Sequence, residues 1–296
     1  MKPQDLESRV APKKILLATD FSPASEAALP HALVLASHYA SNLYIAHVIS
    51  PEFMDFLPPE ETATKLQQAH RFTKQKLEPL LEAARQKGIS GQPLVGEGAI
   101  WDVLSDMIHQ NGIDLIIVGT QGRRGLGKLL LGSVAEEVFR MAPCPVLTVG
   151  PRTSETSSMD VQLSHILYPV EFAPDTSLAA DYAVSIAEEF HAKLTFMKVA
   201  EETLPFPEAK DHIQEPVRHW MDDHIPTESD LRERTSFELG FGRAAEAILK
   251  FATDRGVDLI VMNVRRLDPV LAAHLPETDT AYEVVRTAPC AVLTVR

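Results

Sequence analysis

The sequence predicts an α/β fold in two tandem domains, each built on a parallel sheet of five strands. Apolar strand-like runs alternate with helix-like segments through the first half of the chain, which is typical of parallel sheets with right-handed crossovers. The same pattern occurs again after a polar segment, so a whole domain is duplicated. The chain has 296 residues, enough for two domains of about 150 residues each.

The first domain is predicted to follow the order β-α-β-α-β-α-β-α-β. Nearly continuous apolar runs indicate strands covered on both faces, and strands are predicted at 15–18, 43–49, 93–95, 115–118 and 146–149. Helices are predicted at 22–40, 62–87, 100–110 and 133–141. Because proline lacks an N–H group and crowds the preceding turn, we expect Pro30 to kink the first helix, and Pro79 is a candidate break in the second.

A linker rich in Ser and Thr is predicted at 151–163, between domains at 1–150 and 164–296. The second copy opens with Ile166-Leu-Tyr-Pro-Val170, which repeats Ile15-Leu-Leu-Ala-Thr19. Both copies end on Ala-Pro-Cys followed by an apolar strand, with the cysteines at Cys144 and Cys290. These equivalent positions indicate a packing role for two reduced, buried thiols rather than a disulfide.

Composition limits the classes of function. Hydrophobic residues make up 45% of the chain and charged residues 23%, as in a soluble globular protein. No apolar run approaches the roughly 20 residues that span a membrane, and the first ten residues lack the apolar core of a signal peptide. We therefore expect a cytoplasmic protein without a membrane partner. The net charge of -13 disfavours nucleic-acid binding, which needs a basic face.

The charge is unevenly divided between the two halves of the chain. Residues 1–150 carry 14 basic and 16 acidic residues, a balance of -2, and the remainder carry 14 basic and 25 acidic residues, a balance of -11. An anionic ligand is therefore expected in the first half rather than in the second.

A glycine-rich loop after the fourth strand is the strongest functional signal. It contains five glycines and three cations, namely Gly119, Gly122, Gly125, Gly127, Gly132, Arg123, Arg124 and Lys128. Glycines let a ligand approach main-chain N–H groups closely, and the start of the following helix favours an anion. Ser133-x-x-Glu136 matches a capping box at that start. A flexible loop before a well-capped helix is the alternative, but this composition favours phosphate binding.

The ends of two strands supply further candidate residues. In open parallel sheets ligands bind beyond the carboxyl ends of the strands, where the strand order switches. Thr19 and Asp20 follow the first strand, and Gly119 follows the fourth. The carboxylate of Asp20 has two possible roles. One is contact with a ligand, and the other is local, either capping the next helix or turning the chain.

The familiar phosphate motifs fit this loop poorly. Residues Gly122 to Lys128 match the Walker A pattern, but Leu129 stands where the metal-binding Ser or Thr is required. The dinucleotide pattern G-x-G-x-x-G is absent. The loop does match Gly119-x2-Gly122-x9-Gly132-Ser133, the nucleotide signature of ATP-binding universal stress proteins.

The resemblance to that family covers essentially the whole chain. The segments Lys14-Ile-Leu-Leu-Ala-Thr-Asp20 and Ile45-Ala-His47-Val48 also resemble it. The resemblance implies five-stranded α/β sandwich domains in the tandem form, as a pseudo-dimer within one chain whose final strands meet antiparallel. It also implies ATP as the ligand, leaves Mg or Mn open as a companion of the phosphates, and links the protein to stress survival.

Carried over residue by residue, the resemblance implies two groups of ATP-binding residues. The adenine and ribose would lie at the first-strand end and the second strand, at Ala18, Thr19, Asp20 and Val48. The phosphates would lie in the loop and at the helix start, at Gly119, Gln121, Gly122, Arg123, Gly132, Ser133 and Val134. Gln121 and Arg123 are also candidates to assist phosphoryl transfer, and no catalytic base is identified.

The second copy lacks these residues, so it is predicted to be degenerate for the nucleotide site. By alignment, the positions of Gly119, Gly122, Gly132 and Ser133 hold Asn263, Arg266, Thr278 and Asp279. Acidic side chains at Glu277, Asp279 and Glu283 would repel a phosphate. We therefore expect one nucleotide per chain. His212, Glu215 and His219 have near-helical spacing, but Pro216 interrupts them, and a solvated helix face is favoured over a metal site.

Three functions remain open from the sequence. The first is an ATP-binding sensor or regulatory module in a stress response. The second is a slow ATPase or nucleotidyl-transfer enzyme of the same fold, which release of ADP or AMP would reveal. The third is a scaffold that has lost nucleotide binding, against which the intact first motif argues. The protein partner, the stress signal and the formation of a homodimer by two chains are also left open.

Overall fold

The computed structural model describes residues 10–50, 59–120, 131–150, 161–170, 177–200, 216, 219–264 and 280–296. The chain divides into two compact units. The first unit is Pro12–Val161, and the second is Gln162–Arg296 together with Val10 and Ala11. The carbonyl of Val10 accepts a hydrogen bond from Ser185 Oγ at 3.1 Å, which fixes this short segment on the second unit.

The first unit contains a five-stranded parallel sheet in the order β3-β2-β1-β4-β5. Its strands are β1 (Lys14–Ala18), β2 (Asn42–Ile49), β3 (Gly91–Glu97), β4 (Leu115–Gly119) and β5 (Val146–Val149). Its helices are α1 (Pro23–Glu26), α2 (Leu29–His38), α3 (Pro59–Gln86), α4 (Ile100–Asn111) and α5 (Ser133–Met141). The predicted order of elements and the parallel sheet are confirmed, and β3 is longer than the predicted strand.

The two prolines behave differently for a physical reason. Pro30 divides the predicted first helix, because α1 ends at Glu26 and Pro30 lies in the first turn of α2, where an N–H group is not needed. Pro79 lies inside an uninterrupted α3, so the candidate break there was wrong. Pro79 and Gln75, one turn earlier, are both exposed, so water can reach the carbonyl that proline leaves without a partner. Buried Leu77 and Leu81 hold the opposite face of the helix.

The second unit repeats this architecture, with a parallel sheet in the order β8-β7-β6-β9-β10. Its strands are β6 (His165–Pro169), β7 (Lys193–Ala200), β8 (Thr235–Phe241), β9 (Leu259–Asn263) and β10 (Ala291–Val295). Its helices are α6 (Ser177–Glu189), α7 (219–224), α8 (Leu231–Arg234), α9 (Ala244–Arg255) and α10 (Thr280–Thr287).

An aspartate fixes the amino end of the sheet in each unit. The carboxylate of Asp114, just before β4, accepts the N–H groups of Lys13 and Lys14 at 2.9 and 3.0 Å. Asp258, just before β9, accepts the N–H groups of Ser164 and His165 at 2.8 and 2.9 Å. Each carboxylate thus sets the register between the first and fourth strands of its sheet.

The cores are apolar, and they enclose one of the two cysteines. Cys290 is buried, and burial raises the pKa of its thiol to about 12. Cys144 is only half-buried, so the prediction of burial holds for Cys290 alone. Neither cysteine forms a disulfide, as predicted. Within the part of the chain that the structure describes, no helix is both long enough and apolar enough to cross a membrane.

Candidate functional site

The carboxyl ends of β1 and β4 lie side by side at one edge of the first sheet. Ala18 is the register partner of Val118, so the chain leaves β1 at Thr19 next to Gly119 of β4. The N–H group of Thr19 donates to the carbonyl of Ala46 on β2, 2.9 Å away. Ala18, Thr19 and Gly119, which were predicted from separate stretches of sequence, therefore lie together.

A buried cluster of hydroxyl groups shapes the turn between β1 and α1. Thr19 Oγ1 lies 3.0 Å from Ser25 Oγ and accepts the N–H group of Phe21 at 3.0 Å. Ser25 Oγ donates to the carbonyl of Ser22 at 3.0 Å, and Ser22 Oγ caps α1 by accepting the N–H group of Ser25 at 3.2 Å. All three hydroxyl-bearing residues are buried, so this turn has a fixed geometry.

Asp20 is presented by this turn and is half-buried. Its Oδ1 accepts the N–H group of Ser22 at 2.9 Å, which is the turn-forming role left open by the sequence. A carboxylate accepts up to about four hydrogen bonds. A carboxylate at this position is also an acceptor of the kind that hydroxyl groups of a ligand require.

Phe21 adopts a left-handed backbone conformation, with φ at +58°. For a residue with a side chain this conformation costs about 1–2 kcal/mol. The Phe21 ring is buried against His47, with ring centroids 4.4 Å apart, and it lies nearly perpendicular to the ring of Phe72 of α3, with centroids 6.1 Å apart. His47 Nδ1 lies 2.8 Å from the carbonyl of Thr19, and because a carbonyl only accepts, Nδ1 carries the hydrogen. Val48 follows His47 and is half-buried.

The absence of a side chain at Gly119 is explained by packing. A Cβ atom at this position would lie 2.4 Å from the carbonyl oxygen of Ala24 and 2.9 Å from the backbone nitrogen of Ser25. Both atoms belong to the backbone of α1, so they cannot turn away as a flexible side chain could. Gly119 therefore allows α1 to lie against β4.

The start of α5 joins the same edge of the sheet. The N–H group of Gly132 donates to the carbonyl of Thr120 at 2.7 Å. Gly132 is the N-cap residue, Ser133 is the exposed first residue of the helix, and Val134 is half-buried. The first N–H groups of a helix have no intrahelical partner, and no side-chain hydrogen bond caps this helix among the described residues. This end of α5 therefore offers N–H groups to an anion.

The predicted capping box between Ser133 and Glu136 was wrong. The helix begins one residue earlier in register than that motif requires, because Gly132 rather than Ser133 is the N-cap. Glu136 pairs instead with Arg140, one turn later, at 2.8 and 3.1 Å. Gln121, Gly122 and Arg123 lie outside the described residues, so their places in the site stay a prediction.

Sequence reasoning missed three contributors to this edge of the sheet, namely Ser25, His47 and Phe72. The Ser22-Pro-Ala-Ser25 spacing is a signal for the hydroxyl cluster. His47 lies in a segment that resembles the family, but no local signal predicts the contacts of His47 and Phe72, because these join distant stretches of the chain. Of the described residues, no group of three or more His, Cys, Asp or Glu is placed to hold a metal ion.

The end of β9 in the second unit has the same strand register as the end of β4 but a different side chain. Asn263 pairs with Val295 as Gly119 pairs with Val149, which supports the alignment of these two positions. Glu283 is neutralised by Arg243, whose Nη2 donates to it at 3.0 Å, so it does not add free negative charge as expected from the sequence. Arg266, Glu277, Thr278 and Asp279 lie outside the described residues.

Arg243 has no counterpart in the first unit. It occupies the N-cap of α9 and also donates to Glu246 at 2.7 Å. The N-cap of α4 is Ala99, which is exposed and has nearly the same backbone angles, with φ at -62° and -68° in Ala99 and Arg243. Partial burial, and then the carboxylates of Asp102 and Glu136, raise the pKa of Glu137.

We expect Ala99→Arg to raise the free energy of unfolding at neutral pH by about 0.5 kcal/mol, as exposed ion pairs do. The new guanidinium would lie between Asp102 and Glu137, as Arg243 lies between Glu246 and Glu283. Urea unfolding at low and high salt measures the effect, and Ala99→Gln is the uncharged control. A gain that persists at high salt, or that the Gln variant shares, would contradict an ionic origin.

Comparisons with known proteins agree on one family. The sequence model of the Universal stress protein family matches residues 12–150 and again 163–296. Universal stress protein MJ0531 of Methanocaldococcus jannaschii is 32% identical over 138 residues, which cover 46% of this chain and 81% of that protein. Universal stress protein YxiE of Bacillus subtilis is 29% identical over 152 residues, covering 46% of this chain and 97% of that protein.

A solved structure of similar length shows the same fold over nearly the whole chain. A universal stress protein from Archaeoglobus fulgidus superimposes with a TM-score of 0.71 at 18% identity, covering 96% of this chain and 98% of that one. At this identity the likeness concerns the fold alone. Two matches to the family, one for each half of the chain, are what the internal repeat requires.

Proposed function

The chain belongs to the universal stress protein family, and from this premise we propose that it binds one ATP in its first unit and acts as a nucleotide-dependent sensor or regulatory module in a stress response. One observation carries the proposal. The carboxyl ends of β1 and β4 meet the start of α5 at one edge of the sheet, joined by the hydrogen bond from Gly132 to Thr120, and no described side chain caps that helix start. Such edges bind nucleotides in parallel sheets because a helix start attracts phosphate.

The residues present fit an adenine nucleotide in their chemistry. The half-buried carboxylate of Asp20 is an acceptor suited to ribose hydroxyl groups, and the α5 start offers N–H donors to phosphate. The proposed ligand set is that of the sequence prediction, namely Ala18, Thr19, Asp20, Val48, Gly119, Gln121, Gly122, Arg123, Gly132, Ser133 and Val134. Mg or Mn would accompany the phosphates as a counter-charge.

The restriction to the first unit is supported by the side chain at the end of β9. Asn263 puts a side chain where the first unit has Gly119, at the same register position. The sequence also replaces Gly122 and Gly132 by Arg266 and Thr278, which removes the glycines that allow close approach of a ligand to the main chain.

Titration calorimetry of the full chain with ATP tests the proposal, and one site per chain is the expected stoichiometry. Mass spectrometry of nucleotide extracted from the purified protein identifies a ligand that copurifies. Two equivalent sites would overturn the restriction to the first unit, and absence of binding would favour a scaffold. Release of ADP or AMP during incubation would instead favour the slow ATPase or nucleotidyl-transfer enzyme.

Gly122→Val is expected to weaken ATP binding by about tenfold or more, which corresponds to about 1.4 kcal/mol. A branched side chain should prevent close approach of the main chain to phosphate. Arg266→Val, at the aligned position of the second copy, is the control and should leave the affinity unchanged. Unchanged affinity in a folded Gly122→Val variant would refute the placement of the phosphates in this loop.

The proposal includes a cytoplasmic location, since neither cysteine forms a disulfide and the buried Cys290 thiol is held protonated. Cell fractionation tests the location. Light scattering of the purified chain determines whether two chains form the homodimer that the sequence leaves open.

A further inference from the structure

The amino-terminal half of α3 projects from the first unit. None of residues 61–72 is buried, whereas Thr73, Leu77, Leu81 and Ala84 in the other half are. Helical segments with few buried contacts open locally at low free-energy cost. The state of this projecting half, residues 61–72, therefore depends on the contacts that tether it to other elements of the unit.

Two of these tethers are side-chain contacts near the end of the projecting half. Phe72 is 44% exposed, and its ring lies nearly perpendicular to the buried Phe21 ring, with centroids 6.1 Å apart. His70 Nε2 lies 2.5 Å from Glu97 Oε1 at the end of β3, with both side chains exposed. Of these two tethers, only the Phe21–Phe72 contact involves a residue next to the candidate ATP site, because Phe21 follows Asp20.

Hydrogen bonds and a ring contact hold the Phe21 turn in a left-handed conformation. Its left-handed backbone, with φ at +58°, is held by Thr19 Oγ1, which accepts the Phe21 N–H group, and by the His47 ring, whose Nδ1 donates to the Thr19 carbonyl. Asp20 Oδ1 holds the other side of the turn through the Ser22 N–H group. A ligand that donates hydroxyl groups to Asp20 would add to the interactions that hold this strained turn in place.

We propose that Phe21 couples occupancy of the site at Asp20 to the packing of the projecting half of α3 through the Phe21–Phe72 contact. This inference rests on the proposed binding of ATP and states the structural change that binding causes. ATP stabilises the strained turn, the turn holds the Phe21 ring against Phe72, and the projecting half becomes more ordered. In the second copy the sequence keeps Phe172 at the position of Phe21 but has Lys198 in place of His47, so the ring partner of Phe21 is specific to the first unit.

Hydrogen exchange of the full-length protein, with and without saturating ATP, tests the coupling. ATP is expected to slow exchange in residues 61–72 about fivefold in the wild type. The slowing should be lost in Phe21→Gly, since glycine accepts the left-handed backbone but lacks the ring, and in Phe72→Ala. His70→Ala removes the other tether, so it should exchange faster in both states and keep the response to ATP. Phe172→Gly is the matched control in the second copy and should behave as the wild type.

Coupling between two sites is reciprocal, so Phe72→Ala should weaken ATP binding about fivefold although Phe72 belongs to α3 rather than to the ligand set. Bound ATP without slower exchange in the wild type, or slowing that persists in Phe21→Gly, would overturn the proposal. If calorimetry detects no ATP binding, the proposed function fails first, and the ligand-free proteins test the structural premise that the Phe21 ring holds residues 61–72. Faster exchange of residues 61–72 in ligand-free Phe21→Gly then supports the Phe21 tether, and unchanged exchange overturns it.

Discussion

The free energy of unfolding is expected to fall by about 3 kcal/mol between pH 7 and pH 4 through His31 alone. His31 lies on α2 with only 7% of its surface exposed. Burial lowers the pKa of the imidazole from 6.5 to about 4, and the backbone of Ala27 opposes part of this effect. A tenfold change in proton affinity corresponds to about 1.4 kcal/mol, so the full shift corresponds to about 3 kcal/mol.

The direction of this effect follows from proton binding in the two states. Between pH 6.5 and pH 4 the unfolded chain binds a proton at His31 while the folded chain does not. The contribution to stability is therefore complete above pH 6.5 and is lost as the pH falls toward 4. Urea unfolding of the wild type and of His31→Leu at pH 7, 5.5 and 4 measures the difference between the two proteins.

The difference in unfolding free energy between wild type and His31→Leu should change by about 3 kcal/mol across this pH range. His38→Leu, at an exposed position of the same helix, is the control for loss of a histidine. A difference that does not vary with pH would show that His31 is not held neutral by burial.

Gly119→Ala is expected to lower the free energy of unfolding by about 2 kcal/mol, in the range of overpacking in a dense interior. The added Cβ would lie 2.4 Å from the Ala24 carbonyl oxygen, so α1 must move away from β4. Because Ser22 and Ser25 belong to α1 and its cap, this movement also disturbs the turn that presents Asp20. We therefore expect ATP affinity to fall about tenfold as well.

The matched control for Gly119→Ala is Asn263→Ala in the second unit. Asn263 occupies the same register position but already carries a Cβ, so this variant adds no atom to the backbone contact. Chemical unfolding and calorimetry of both variants separate stability from affinity. A Gly119→Ala protein with wild-type stability would contradict the packing origin of this glycine.

The sequence predicted the sheet well because its signals are local and repeated. Nearly continuous apolar runs marked the strands, and the second copy confirmed the pattern of the first. Prolines were harder, since Pro30 and Pro79 look alike in sequence. Their effects differ because one falls in a first helical turn and the other on an exposed face of a helix with a buried opposite side.

The position of the candidate site could be predicted from the sequence, but the physical reasons for several of its residues could not. Gly119 was selected as a phosphate contact, and packing against α1 already requires a glycine there. Ser133 and Glu136 matched a capping box, but the helix starts one residue earlier than that motif requires. Glu136 pairs with Arg140 instead. The contacts of Phe21 with His47 and Phe72 join three separate elements, so no spacing within a short window could reveal them.

The aspartates that precede β4 and β9 bear on how this chain could be re-engineered. Asp114 and Asp258 set strand alignment at the amino end of each sheet, far from the segments that differ between the copies. Alignment of the strands is thereby independent of the segments at their opposite ends. We therefore expect a chimera that exchanges only those opposite-end segments to keep the strand alignment of the parent protein. The glycine loop grafted after β9 is one such chimera.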